Sequence, residues 1–123
     1  MNDVRFPDMR NEVVTALEAL ADPDYQRRVW LEHEYPSPSY YDDLSLNTHI
    51  LFDDTRVLPD PTVRLGVILY AREVEPLRAL GQVLDSMIDD LGDSDDSVYL
   101  QDARWPAVVE AARVALDVVK GSE

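Results

Sequence analysis

Glu73-Val-Glu-Pro-Leu-Arg-Ala-Leu-Gly-Gln-Val-Leu-Asp-Ser-Met-Ile-Asp-Asp-Leu91 is the stretch on which the fold turns. Leu77, Leu80, Leu84, Met87 and Leu91 recur at steps of three and four, and Ile88 widens the stripe. That spacing places all six on one side of a helix, which must bury them. Pro76 falls in the first turn, where a missing N–H costs little, and Gly92 can end the helix. The opposite face and the exit carry Asp85, Asp89, Asp90, Asp93, Asp95 and Asp96, with no Lys or Arg among them. A core helix therefore runs into an acidic patch without a balancing base.

The flanking segments repeat the helical signal. Asp8 can cap a helix to about Ala21, with Val13, Leu17 and Leu20 as its stripe and Arg10, Asn11 and Glu18 on the wet side. Residues 1–7 read as a loose arm. Asp22-Pro23 restarts the chain with a cap residue and a first-turn proline. Tyr25 to His33 fits a strand or a short helix, and the helix is the expectation. Tyr35-Pro-Ser-Pro-Ser39 cannot be regular, because each proline biases the residue before it to extended geometry. Ser39 can cap a helix to about Asp54, with Tyr41, Leu44, Thr48, Leu51 and Phe52 on one side.

Thr55 to Pro61 reads as a loop. The apolar run from Val63 to Ala71 reads as an extended segment or an irregular approach to the central helix. Gly92 to Ser97 reads as an acidic loop, after which Val98, Tyr99 and Leu100 return to the core. Trp105, Val108, Val109, Ala112, Leu116 and Val119 mark a last helix, with Lys120 suited to its negative end and Gly121 to its stop. The expected fold is mainly α: one domain over residues 1–123, a helical bundle of four to five helices, with one short β-hairpin as the alternative detail.

Composition narrows the function. The chain has 25 acidic against 11 basic residues, a net charge of −14. Such a surface repels nucleic acid and anionic membranes and attracts a basic protein partner. With no cysteine there are no disulfides, thiolate metal sites or cysteine nucleophile. No apolar run approaches the ~20 residues a membrane span needs. The N-terminus lacks the apolar core of a signal peptide, so the expected location is the cytoplasm.

Motifs for chemistry are sparse. Asp42, His49 and Asp53 fall on one strip of the expected helix, where spacings of seven and four permit a metal or acid–base site. An ordinary amphipathic helix offers the same three polar residues to solvent, and that reading is preferred. Asp93, Asp95 and Ser97 begin like a calcium loop, but Arg104 stands where Glu is required. No Gly-rich phosphate loop and no nucleophile elbow is present. No cofactor or metal is expected. Trp105, beside Arg104 and Pro106, is read as a staple into the core. Tyr35, Tyr40 and Tyr41 flank a rigid proline loop that presents them at low entropy cost.

Tyr40-Tyr-Asp-Asp-Leu44, His49-Ile-Leu-Phe-Asp-Asp-Thr55 and Arg104-Trp-Pro-Ala-Val-Val-Glu-Ala-Ala112 resemble a family of small acidic bacterial proteins of uncharacterised function, from about Leu17 onwards. In size and charge the chain is also similar to immunity proteins of toxin systems, which bind a cognate toxin domain, often a basic nuclease, and block it. That similarity rests on general character and carries over no residue. The leading expectation is a non-enzymatic, immunity-type inhibitor that binds a basic partner. Its contact residues would be Asp85, Asp89, Asp93, Asp95 and Asp96, then Tyr40 and Tyr41. A regulatory or adaptor domain that mimics nucleic-acid charge ranks second, and an enzyme centred on His49 third.

Overall fold

The fold comes from a computed structural model that describes residues 6–122. Helix α1 spans Pro7–Leu20. Helix α2 (23–31) starts α-helical over Pro23–Tyr25 and widens to π pitch over Gln26–Leu31. Helix α3 (44–54) does the same, α-helical over Leu44–His49 and π over Ile50–Asp54. Short 3-10 turns at Pro61–Arg64 and Ala71–Glu73 lead into α4, Val74–Leu91. Helix α5 spans Asp96–Gln101 and α6 Trp105–Gly121.

Helix α6 sits between α1 and α4 and packs against both. Its sequence suits a helix covered on two sides. Val108, Ala112, Ala115 and Val119 are fully buried, and the two alanines let the neighbours come close. Leu77, Leu80, Leu84 and Met87 of α4 are fully buried as their spacing requires, while Ile88 and Leu91 are half-buried at the stripe's edge. Val13, Leu17 and Leu20 do the same for α1. Leu58 closes on α4 at Gly81, where a Cβ would stand 3.1 Å from its Cδ2.

Trp105 is buried, and its indole N–H donates to Gln26 Oε1 at 3.0 Å. The Gln26 amide donates to the carbonyls of Ala19 and Leu20, so one buried glutamine joins α2 to α1 and α6. The wide turns of α2 and α3 close on specific bonds. Thr55 donates to the Ile50 carbonyl through both its N–H (2.9 Å) and its Oγ1 (2.6 Å). Each helix is followed by a non-glycine residue in the left-handed region, His33 (φ 58°) and Arg56 (φ 55°).

Several expectations need correction. Arg10 does not lie on the wet side; it is 4% exposed. Its Nη1 and Nη2 donate to Glu73 Oε1 (2.8 Å) and Oε2 (2.6 Å), and to the carbonyls of Ile68 (2.9 Å) and Val119 (3.2 Å). Burying a guanidinium is tolerable only with this full set of acceptors. The stretch 63–71 is the irregular approach to α4 that its sequence allowed, with a 3-10 turn and a single bridge between Leu65 and Leu69, and the alternative β-hairpin is not seen among the described residues. Residues 96–101 are helical, and Tyr99 buries its ring while donating its hydroxyl to the Gly92 carbonyl at 2.6 Å. Pro7 already belongs to α1 and the Phe6 N–H donates to the Val67 carbonyl at 3.1 Å; the rest of the expected arm, 1–5, lies outside the described residues.

Candidate functional site: two grooves on either side of α3

Helix α3 begins at Leu44, later than the Ser39 cap expected from the sequence. Asp43 is the N-cap instead, accepting the Leu46 N–H at 2.8 Å. Asp42 therefore precedes the helix, and the expected strip of Asp42, His49 and Asp53 does not form. Asp42 turns to other partners. Its Oδ2 accepts from the Tyr25 hydroxyl (2.7 Å) and the Trp30 indole (2.9 Å), and its Oδ1 from the Asn47 amide (3.0 Å). His49 and Asp53 do meet, Nδ1 to Oδ2, at 2.5 Å on the exposed face. Among the described residues no three His, Asp or Glu side chains gather as a metal site would require.

A groove of about 440 Å³ runs between α3, the end of α4 and the start of α5. Leu44, Phe52, Ile88 and Tyr99 supply its apolar lining. Asp53, Asp85, Asp93 and Asp96 line it with carboxylates, and no Lys or Arg lines it. It thus gathers Asp85, Asp93 and Asp96 of the expected contact residues; Asp89 and Asp95 are exposed but do not line it.

The four carboxylates are not equivalent. Asp96 is half-buried and its Oδ2 accepts the Leu44 N–H at 3.1 Å, tying α5 to the first turn of α3. Burial raises its pKa, the Leu44 bond opposes that, and the charges of Asp43, Asp42 and Asp95 add to it. The wider acidic run also has a base that its local sequence does not contain. Arg104 Nη1 reaches Asp90 Oδ2 at 2.6 Å, and its Nε and Nη2 fork onto Asp102 at 2.9 and 3.0 Å. Those side-chain bonds hold Asp102 down to about 2.

A second groove, of about 460 Å³, lies on the other side of α3, against the end of α1 and the start of α2. Tyr25, Tyr40, Tyr41, Leu46 and Ile50 line it, with Glu18, Asp22 and Asp42 among them. Tyr40 and Tyr41 are held as the proline loop predicts: Tyr35 packs its ring 6.1 Å from Tyr40 and 5.8 Å from Tyr41. The sequence reading put the aspartates and the tyrosines on one contact list; α3 separates them. It also passed over Tyr25, Trp30 and Asn47, whose only advance signal was their polar handles inside apolar surroundings.

One family model covers residues 4–123, nearly the whole chain and further upstream than the Leu17 boundary that the three quoted segments suggested. The chain belongs to the domain of unknown function DUF7945. No curated protein matches it, and no solved structure does. Among the described residues no helix is long and apolar enough to cross a membrane.

Proposed function

We propose that this domain is a non-enzymatic binding protein, most concretely an immunity-type inhibitor that holds a basic protein in the acidic groove. One observation carries the reading. Four aspartates surround an apolar lining, and no Lys or Arg lines the groove with them. Asp53 meets His49, which also lines the groove, and Asp96 holds the Leu44 N–H, but Asp85 and Asp93 carry no such partner among the described residues. Carboxylates gathered at a concave surface focus negative potential and speed the approach of a cationic partner. The apolar lining then offers burial to whatever side chain the partner inserts. The proposed setting is the cytoplasm.

The test starts from affinity capture at low salt, followed by identification and assay of the captured protein. A basic partner that loses its own activity at one equivalent of this domain supports the inhibitor. Its association should slow steeply with added salt, because exposed charges are screened beyond about 8 Å at physiological ionic strength. Asp53→Asn, Asp85→Asn and Asp93→Asn together should slow it further at low salt. A partner that keeps its full activity in the complex would point to the adaptor instead. A partner bound equally well by the triple variant would sink the acidic groove as the contact surface.

A further inference from the structure

Beyond the acidic groove, we propose that the tyrosine groove takes an arginine side chain of the same basic partner, so that α3 enters the partner as a ridge with a cation on each side. This rests on the reading above and deepens it.

The hydroxyl and amide protons of this groove are all spoken for. The Tyr25 hydroxyl has one proton, and it donates that proton to Asp42. The 2.5 Å contact between Tyr25 and Tyr40 must then carry the proton of Tyr40. Tyr41 donates to Asp43 Oδ2 at 2.5 Å. Both amide protons of Asn47 are used as well, on Asp42 and on the Asp43 carbonyl. Thr15 donates to the Asn11 carbonyl. Every side-chain donor in the lining is therefore already committed to an acceptor of the chain itself. Hydrogen bonding to Asp43 raises the Tyr41 phenol to about 12, and burial and the bonds to Tyr40 and Asp42 raise Tyr25, so these protons stay in place.

What remains for a ligand is acceptors, carboxylates and ring faces. No Lys, Arg or His lines the groove. Lys120 stands 3.5 Å from Glu18, and Asp42 is held by Tyr25, Trp30 and Asn47. Asp22 caps α2 through the Tyr25 N–H and has no ion-pair neighbour among the described residues, so its carboxylate carries the open charge. An anion or a pure acceptor finds no free side-chain donor there. A donor with a flat face fits: guanidinium stacks on tyrosine, forks onto oxygen acceptors, and lays its methylene stem along Leu46 and Ile50. Leu46 is 42% exposed on the α3 surface, so its burial waits for a partner. Lysine shares the charge and lacks the planar fork.

The probes are capped Gly-Leu-Arg-Gly peptides, with lysine or citrulline in place of arginine, titrated into the labelled full chain by nitrogen–proton NMR. The arginine peptide should move the resonances of Tyr40, Tyr41, Leu46 and Ile50. It should bind at least about fivefold tighter than the citrulline peptide, and tighter than the lysine peptide, as a stacked guanidinium predicts. The lysine peptide has the same charge and so controls for the net −14. Tyr40→Leu with Tyr41→Leu should remove the preference while the amide spectrum away from the groove stays that of the folded chain. Tyr40→Phe with Tyr41→Phe, which keeps the ring faces, should retain it. Equal binding of arginine and lysine, or shifts confined to Asp85 and Asp93, overturns the proposal. These arms need no partner, so they separate from the earlier test. Capture that depends on the aspartates and ignores the tyrosine pair sinks this inference alone; capture with the opposite dependence sinks the acidic groove alone.

Discussion

Glu73 and the groove aspartates live under opposite electrostatic conditions. The Glu73 carboxylate is fully buried and receives two guanidinium N–H groups and the Tyr70 N–H. Asp85 and Asp93 are exposed, Asp53 beside them meets only the exposed His49, and no Lys or Arg lines their groove. With 11 basic residues against 25 acidic ones, cations are scarce. One of them is used to close the core, and the groove goes without. A carboxylate that the fold requires is therefore recognisable by its partners, and one free for a ligand by their absence.

The comparison breaks most severely at the buried pair. Glu73→Ala leaves the Arg10 charge in the core without its counter-ion and should cost ~3–5 kcal/mol by chemical denaturation. Replacing both partners by apolar residues, Arg10→Met with Glu73→Leu, should recover most of that loss. If the double variant is as unstable as the single one, the backbone bonds of Arg10 to Ile68 and Val119 matter more than the ion pair. Next in size, Leu84→Ala in α4 should cost ~2–5 kcal/mol. A loss below ~0.5 kcal/mol would mean the core does not depend on this stripe.

Asp96 tests the boundary between the two conditions, since it lines the groove and also holds Leu44. Asp96→Ala should cost about 1 kcal/mol through the lost bond. Asp96→Asn keeps an acceptor and removes a charge crowded by Asp42, Asp43 and Asp95, so at neutral pH it should match or exceed the wild type. The pH dependence follows from the raised pKa. The folded state binds the Asp96 proton more tightly than the unfolded chain, so this group adds stability at low pH and loses it as pH rises through its folded pKa. Any advantage of Asn over Asp should thus vanish on acidification. Asp102 has the opposite sign: its contribution is present above the unfolded value of 3.8 and is lost as pH falls towards about 2. The smallest effect belongs to Asp93→Asn with Asp95→Asn, within about 0.5 kcal/mol or slightly stabilising. A clear destabilisation would assign them a role in the fold.

The long helices were legible because apolar residues at steps of three and four have only one efficient place to go. Trp105, the stop at Gly92 and the first-turn prolines followed from the same chemistry. Arg10 and Glu73 were missed although the register announced them. Arg10 continues the row Val13, Leu17, Leu20, and Glu73 the row Leu77, Leu80, Leu84. A charged residue in phase with a buried stripe is a sign of a paired core ion, and reading by residue type alone sent Arg10 to the surface. Asp85, Asp93 and Asp96 were legible as a group because the end of α4 and the start of α5 adjoin in the chain; Asp53 joins them from α3, which no spacing announced. The separation of Tyr40 and Tyr41 from them depends on the path of the loop before α3, which periodicity does not encode.

The bond from Arg10 to the Val119 carbonyl joins residues 109 positions apart. Helix α6, placed between α1 and α4, is also the last of the described helices to be synthesised. The ribosome therefore delivers α1 well before the element that covers it, with Val13, Leu17 and Leu20 open to solvent. Contacts of such long sequence separation form late and slowly, and apolar stripes waiting for them invite association with other chains. Slowing translation across α6 should therefore raise the yield of aggregate more than slowing it across α2 or α3.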